Sequence, residues 1–154
     1  MSEILFRPFQ EYDQAAARAL ILQGLGAHFG FIDETLNPDL NDIAAHYIRP
    51  GHLFLLAEME GQIVGTGALI NAAPKVAQMV RVSVCHAQRR HGIGRAMVTQ
   101  LVQAARRHGY RRVQVETNKD WFDAIGLYRS CGFNEYARDD VSVYMALGLA
   151  ENRD

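Results

Sequence analysis

Arg89-Arg90-His91-Gly92-Ile93-Gly94-Arg95 carries the densest chemical signal in the chain. It lies between an apolar, β-prone run at 76–84 and a strongly periodic segment at 93–108. A turn that ends a strand and opens a helix suits an anion. The first backbone N–H groups of the helix lack partners, and the helix dipole makes that end partly positive. Two glycines admit a phosphate close to the backbone and the arginines add charge, so a pyrophosphate fits there. Relief of crowding in a tight turn also explains a Gly-x-Gly, and spacing alone does not separate the two readings. There is no GxxxxGK[ST], and no third glycine completes GxGxxG, which sets aside the P-loop and the dinucleotide fold.

The elements that would hold this turn can be read from periodicity. Residues 3–7 form a short strand stopped by Pro8, and 14–25 form an amphipathic helix through Ala16, Leu20, Ile21 and Leu25. The glycine- and aromatic-rich stretch 24–34 reads as a loop. Asn37-Pro38 opens a second helix with Leu40, Ile43, Ala44 and Tyr47 on one face. Runs 53–59 and 62–70 flank Glu60-Gly61 as a hairpin. In 93–108, Ile93, Met97, Leu101 and Ala105 repeat every four residues, and Gly109 supplies a left-handed stop. A strand at 113–117, a helix at 120–131 closed by Gly132, and strands at 133–136 and 141–147 complete the chain. The strand–helix–strand unit 76–117 predicts a parallel pair, and the hairpins predict antiparallel neighbours. The expectation is a single α/β domain over 1–154, with a mixed sheet and helices on both faces.

Composition narrows the classes. The chain has 154 residues, of which 49% are hydrophobic and 21% charged, an ordinary globular balance for one domain. Its formal net charge is −1, so no global field recruits nucleic acid or an anionic membrane. The two cysteines, Cys85 and Cys131, form no CxxC, which suggests a reduced interior. No signal-peptide pattern is seen at the start and no run approaches a membrane span, so the cytoplasm is expected. Six histidines show no HExxH or paired ligand spacing, and no metal is expected.

Two linked motifs then resemble the GNAT acetyltransferases. Arg89-x-x-Gly92-x-Gly94 resembles the family's R/Q-x-x-G-x-G/A loop, with Val82-Ser83-Val84 as the strand before it. Ala124-Ile125-Gly126-Leu127-Tyr128-x-x-x-Gly132-Phe133 resembles its A-x-x-L-Y-x-x-x-G-F helix and strand start. The motifs span about 76–137, and the order of elements extends the likeness over nearly the whole chain. The resemblance implies an acetyl-CoA-dependent N-acetyltransferase, with a mostly antiparallel sheet and a central parallel pair that splays apart. The pyrophosphate would lie on the amides of Arg89, Arg90, His91, Gly92, Ile93, Gly94 and Arg95, with Arg90 or Arg95 toward the 3′-phosphate. Val82, Ser83 and Val84 would offer main chain to the pantetheine arm.

Within that resemblance Tyr128 is the general acid for the departing thiolate, although by spacing it is also a core tyrosine beside Ala124 and Leu127. Asn118 binds pantetheine or caps the helix near Asp120, with equal support for each. The base does not carry over, because Gln78 stands where relatives place a glutamate. Glu58, Glu116 and His86 are the candidates, or a water chain. Cys85 reads as a small hydrophobe, since a strand would point His86 to the opposite face. The acceptor site would draw on 24–41 and 139–142. His28, Phe29, Phe31, Asp33, Glu34, Asp39 and Asp42 give it an aromatic and acidic character suited to a cationic amine of a small molecule or peptide. The resemblance also makes a homodimer an expected assembly. The rival reading is a binding module, either an inactive acyl-CoA sensor or an RNA-contacting domain that uses the clustered arginines.

Overall fold

Seven strands form where the apolar and β-branched runs lie: β1 (Leu5–Pro8), β2 (Leu53–Met59), β3 (Gln62–Ala73), β4 (Val76–Val84), β5 (Arg112–Asn118), β6 (Asn134–Arg138) and β7 (Ser142–Gly148). The computed structural model describes residues 3–30, 36–88 and 92–150. Phe31, Asp33, Glu34, Arg89, Arg90 and His91 lie outside the described residues. The strands make one sheet in the order β1-β2-β3-β4-β5-β7-β6. Every neighbouring pair is antiparallel except β4 and β5, which run parallel as the crossover predicts. The β2–β3 turn places both Glu60 (φ 52°) and Gly61 (φ 77°) in the left-handed region, the geometry that matches a hairpin's twist.

Helix α2 (Ile93–Arg107) links the parallel pair, and α3 (Phe122–Ser130) follows β5. On α2, Ile93, Met97, Leu101 and Ala105 are all buried, as their spacing requires. These helices cover one face of the sheet, packing Met97, Leu101, Ile125 and Phe133 against Met79, Val113 and Val115. Helix α1 (Gln14–Phe29) and residues 38–48 cover the other, where Phe54 packs between Phe9 and Tyr47 at 5.6 and 5.2 Å. Alternation along β2 sends Leu56 to this second core and Ala57 to the first.

Two sequence expectations are corrected here. Residues 24–29 are not loop: α1 continues through Gly24 and Gly26 to Phe29 and stops at Gly30 (φ 82°), whose N–H donates to the Gly26 carbonyl. The buried stripe runs through Ala17, Leu20, Ile21 and Gly24, while Ala16 is exposed. Glycine interrupts helices by backbone entropy, but here tertiary packing of the stripe overrides that local cost. The second helix is broken. A tight turn at Pro38–Asn41 is followed by an extended Asp42 (φ −150°) and then a widened turn, in which Arg49 N–H donates to the Ala44 carbonyl. The Gln14 side chain fills the break: its Nε2 donates to the Leu40 carbonyl (2.7 Å) and its Oε1 accepts from Ile43 N–H (2.9 Å). The expected apolar face survives, with Leu40, Ile43, Ala44 and Tyr47 all buried.

At the β1 edge Arg7 grips the buried Asp13 through two nitrogens at 2.7 and 2.8 Å, and Asp13 also accepts from Gln10 N–H. The Arg7 hydrogen bond holds the Asp13 carboxyl below its usual range against the opposing effect of burial. A depressed carboxyl stabilises the fold above the unfolded value, near 4, and loses that contribution as pH falls through the folded value. Asp13→Asn should therefore destabilise the protein by about 2 kcal/mol at pH 7. In urea titrations at stepped pH, the gap from wild type should close below about pH 4. A gap that stays constant with pH would show that charge is not the cause.

Candidate active site

Registered pairing between β4 and β5 runs from Val76↔Arg112 to Met79↔Val115 and stops there. Beyond that point β4 stays on β3 as far as Val84↔Gly65, and β5 stays on β7 as far as Asn118↔Ser142. Two strands held by different neighbours therefore part in mid-sheet, and their facing main chain is left without a strand partner. The gap belongs to a cavity of about 620 Å3 that reaches from Ala124 and Tyr128 of α3 to Ile21 and Leu25 of α1.

Sequence reasoning and structure meet at several of its walls. Val82 and Ser83 line the cavity from β4, and Glu116 and Asn118 from β5. Val84 is not among the lining residues and packs toward the start of α2. Tyr128 is 8% exposed, lines the cavity, and packs against Phe133 with ring centres 5.8 Å apart and planes tilted by 55°. Its hydroxyl donates no hydrogen bond to the described residues, and burial, then Cys131, pushes its pKa up. Glu116 is exposed to the cavity and accepts from the buried Ser142 Oγ at 2.9 Å. The Asn118 side chain accepts from Asp120 N–H (3.0 Å) and its carbonyl from Trp121 N–H (3.0 Å). It thus shapes the turn before α3 and does not cap the helix itself, whose cap position is Trp121.

Glu58 and His86 are not brought to the cavity. Glu58 accepts from Arg7 at 3.3 Å near the β1 edge, because the strand order places β3 and β4 between it and the gap. His86 lies exposed in the turn that follows β4. Cys85 is half-buried with its N–H bonded to the Val64 carbonyl, and it does not line the cavity.

The two glycines of the α2 turn serve different needs. Gly92 takes φ 80° as the residue before the helix, a backbone that favours glycine. A Cβ on Gly94 would sit 3.2 Å from Leu127 Cδ2 and 3.6 Å from Val84 Cγ2, so Gly94 allows α2 to lie close to α3. Ile93 is buried and contributes only main chain, while the Arg95 side chain is exposed. The first intrahelical bond runs from Ala96 N–H to the Gly92 carbonyl, and among the described residues no side chain caps the turn. The amides of Ile93, Gly94 and Arg95 thus precede the helical ladder and remain available to an anion.

Phe29 and Asp39, read from the sequence as acceptor residues, line the cavity, whereas Trp121 and Arg81 escaped that reading. Trp121 stacks on His28 at 4.2 Å with planes 9° apart, and Phe29, half-exposed and lining the cavity, meets both rings edge-on. The chain's one tryptophan beside the second motif was the available signal. On β4, Arg81 lines the cavity and pairs with Asp39 through Nε (3.0 Å) and Nη2 (2.7 Å). Tyr47 donates to the same carboxylate at 2.6 Å. Burial and the Asp39 carboxylate push the Tyr47 phenol up to about 12. Burial opposes the Asp39 charge, yet the bonds from Arg81 and Tyr47 hold its carboxyl below the usual range. A lone charged residue inside an apolar strand was the signal for Arg81. Among the described residues, no group of three or more His, Cys, Asp or Glu side chains gathers as a metal site, and no helix is long and apolar enough to cross a membrane.

A parted parallel strand pair beside a glycine-opened helix is the arrangement the two sequence motifs imply, and comparison with known proteins assigns the family. A sequence profile described as "Acetyltransferase (GNAT) family" matches residues 11–133, and the chain belongs to that family. It is 35% identical to human N-acetyltransferase 8B over 76% of this chain and 54% of the relative. It is 26% identical to the uncharacterized N-acetyltransferase YjgM of Escherichia coli, over 76% of this chain and 74% of that protein. The chain spans about half the length of most of the curated relatives it matches. A GNAT-family acetyltransferase from Staphylococcus aureus superposes with a TM-score of 0.87 at 22% identity, over 96% of this chain and all of that one. The PaiA N-acetyltransferase of Thermoplasma acidophilum, solved with coenzyme A, gives 0.85 at 14% identity over 96% and 99% of the two chains. These likenesses bear out the mixed-sheet fold read from the sequence.

Proposed function

We propose that the chain transfers the acetyl group of acetyl-CoA to a primary amine carried on an apolar body, without a metal or a covalent enzyme intermediate. The observation that carries this reading is that the parted β4–β5 main chain, Tyr128 and Glu116 all line one cavity. The coenzyme fits the residues present: the uncapped first turn of α2 suits its phosphates, and the unpaired β4 main chain suits the amides of its pantetheine arm. Bound there, it would supply the acetyl thioester. Glu116 takes the proton of the incoming ammonium, directly or through water, so that a neutral amine forms the new C–N bond. As the C–S bond breaks, Tyr128 gives its proton to the sulfur, and the second proton shed by the acylated nitrogen restores the phenol. Ser142 holds the Glu116 carboxylate toward this task.

Ile21, Leu25, Phe29 and Trp121 support an apolar acceptor, since the Arg81 and Asp39 charges on the same wall already offset each other. Among the described lining residues, Glu116 is then the carboxylate left to meet a cation. Phe31 and Asp33 extend the proposed acceptor wall by sequence.

Titration calorimetry with acetyl-CoA, followed by thiol-release assays on matched amines such as phenethylamine and spermidine, tests the proposal. Binding, and turnover favouring phenethylamine, is the expected result. Arg95→Glu, an exposed change beside the amides, should weaken acetyl-CoA binding about tenfold through lost charge at the helix start. Failure to bind acetyl-CoA would overturn the proposal, and binding without turnover across the panel would point to an acyl-CoA sensor.

A further inference from the structure

Arg81 is out of place by every local rule. It sits in the middle of β4 with φ 56°, a left-handed backbone that costs an ordinary side chain energy. The β3–β4 register slips at this point, from Thr66↔Ser83 to Ala68↔Val80, so β4 carries an extra residue. The bulge is held from two sides. Thr66, wholly buried, donates its hydroxyl to the Arg81 carbonyl at 2.7 Å. On the side-chain end, Arg81 binds Asp39 through two nitrogens and Asn37 Oδ1 at 3.1 Å. Asp39 in turn receives Tyr47, whose ring is packed in the core under α1.

A one-residue slip in a strand exchanges the faces of everything beyond it. The residues beyond Arg81 are Val82 and Ser83, the main chain that lines the gap. We propose that Arg81 and Asp39, with Thr66, are positioning residues: they clamp the β4 bulge so that the main chain of Val82 and Ser83 faces the thioester, and they tie that strand to the acceptor wall at 37–47. The inference rests on the acetyl-transfer reading of the cavity. It assigns the ion pair to geometry rather than to substrate contact, because the Asp39 carboxylate already occupies two nitrogens of the guanidinium.

Glycine separates the two roles, since it accepts φ 56° without strain but removes the side chain. The experiment compares Arg81→Ala, Arg81→Gly and Asp39→Asn in the full chain, reading kcat, acceptor KM, acetyl-CoA affinity by calorimetry, and melting temperature. Arg81→Ala should lower kcat about tenfold or more while acceptor KM changes less than about threefold, because the strand relaxes out of its bulge. Arg81→Gly should lose clearly less kcat than Arg81→Ala, and Asp39→Asn should fall between wild type and Arg81→Ala. Equal losses in the alanine and glycine variants, or a loss confined to acceptor KM, would overturn the clamp and make Arg81 a substrate contact. Unaltered kcat in all three would also overturn it. A wild-type protein that neither binds nor turns over acetyl-CoA would instead remove the acetyl-transfer reading, before any variant is compared.

Discussion

Replacing Tyr128 by phenylalanine should lower kcat for acetyl transfer by about 10²-fold or more, within the usual range for losing a positioned acid. The fold should barely register the change. The ring keeps its packing on Phe133, and the hydroxyl donates no bond to the described residues that would be lost. Deleting a hydroxyl without an internal partner leaves no orphaned group behind, so the melting temperature should match wild type within a few degrees. Burial raises the phenol pKa and so keeps the proton on oxygen throughout the working range. Donation to sulfur then depends on the hydroxyl being positioned where charge develops as the C–S bond breaks. Acetyl-CoA affinity by calorimetry should therefore hold while turnover collapses. If turnover survives, solvent or another group protonates the sulfur, and Tyr128 is only a wall of the cavity.

The difference between what the sequence disclosed and what it hid follows the range of the forces involved. Helix α2 was legible because its four-residue repeat, a left-handed glycine and a stop glycine all agree locally, and no tertiary contact opposes them. The β4–α2–β5 unit was legible because a crossover of that length dictates a parallel pair. By contrast, α1 passes two glycines because a face of Ala17, Leu20 and Ile21 is buried and its last turn is tied to Trp121, more than ninety positions away. The break at 41–43 depends on Gln14, a side chain from another helix that supplies both a donor and an acceptor. No window along the chain contains those partners. The same holds for the site. Its glycine turn and Tyr128 sit in contiguous motifs, whereas the Arg81–Asp39 pair and the Ser142–Glu116 bond join residues 42 and 26 positions apart. Glu58 and Glu116 looked equivalent as strand carboxylates. Only the strand order, which puts one at the β1 edge and the other at the parted pair, tells them apart.

That separation makes Glu116→Gln the second decisive variant. At neutral pH it should lower kcat/KM for an alkylamine by about 10²-fold or more, since such an amine, with a pKa near 10, arrives as the ammonium and must lose a proton before it can attack. The loss should shrink as pH rises toward the amine's own pKa, because solution then delivers the neutral nucleophile and leaves the carboxylate little to do. Glutamine keeps the size of the side chain and can still accept from Ser142, so the fold and acetyl-CoA binding should persist. Ser142→Ala tests the same group from the other side. Without the hydroxyl the carboxylate loses the bond that orients it, so kcat/KM should fall severalfold while acetyl-CoA affinity stays unchanged. A Glu116→Gln deficit that is constant with pH would mean that the carboxylate attracts the cation without accepting its proton. No deficit at all would hand the base to a water chain, since Glu58 is turned to Arg7 and His86 lies outside the cavity.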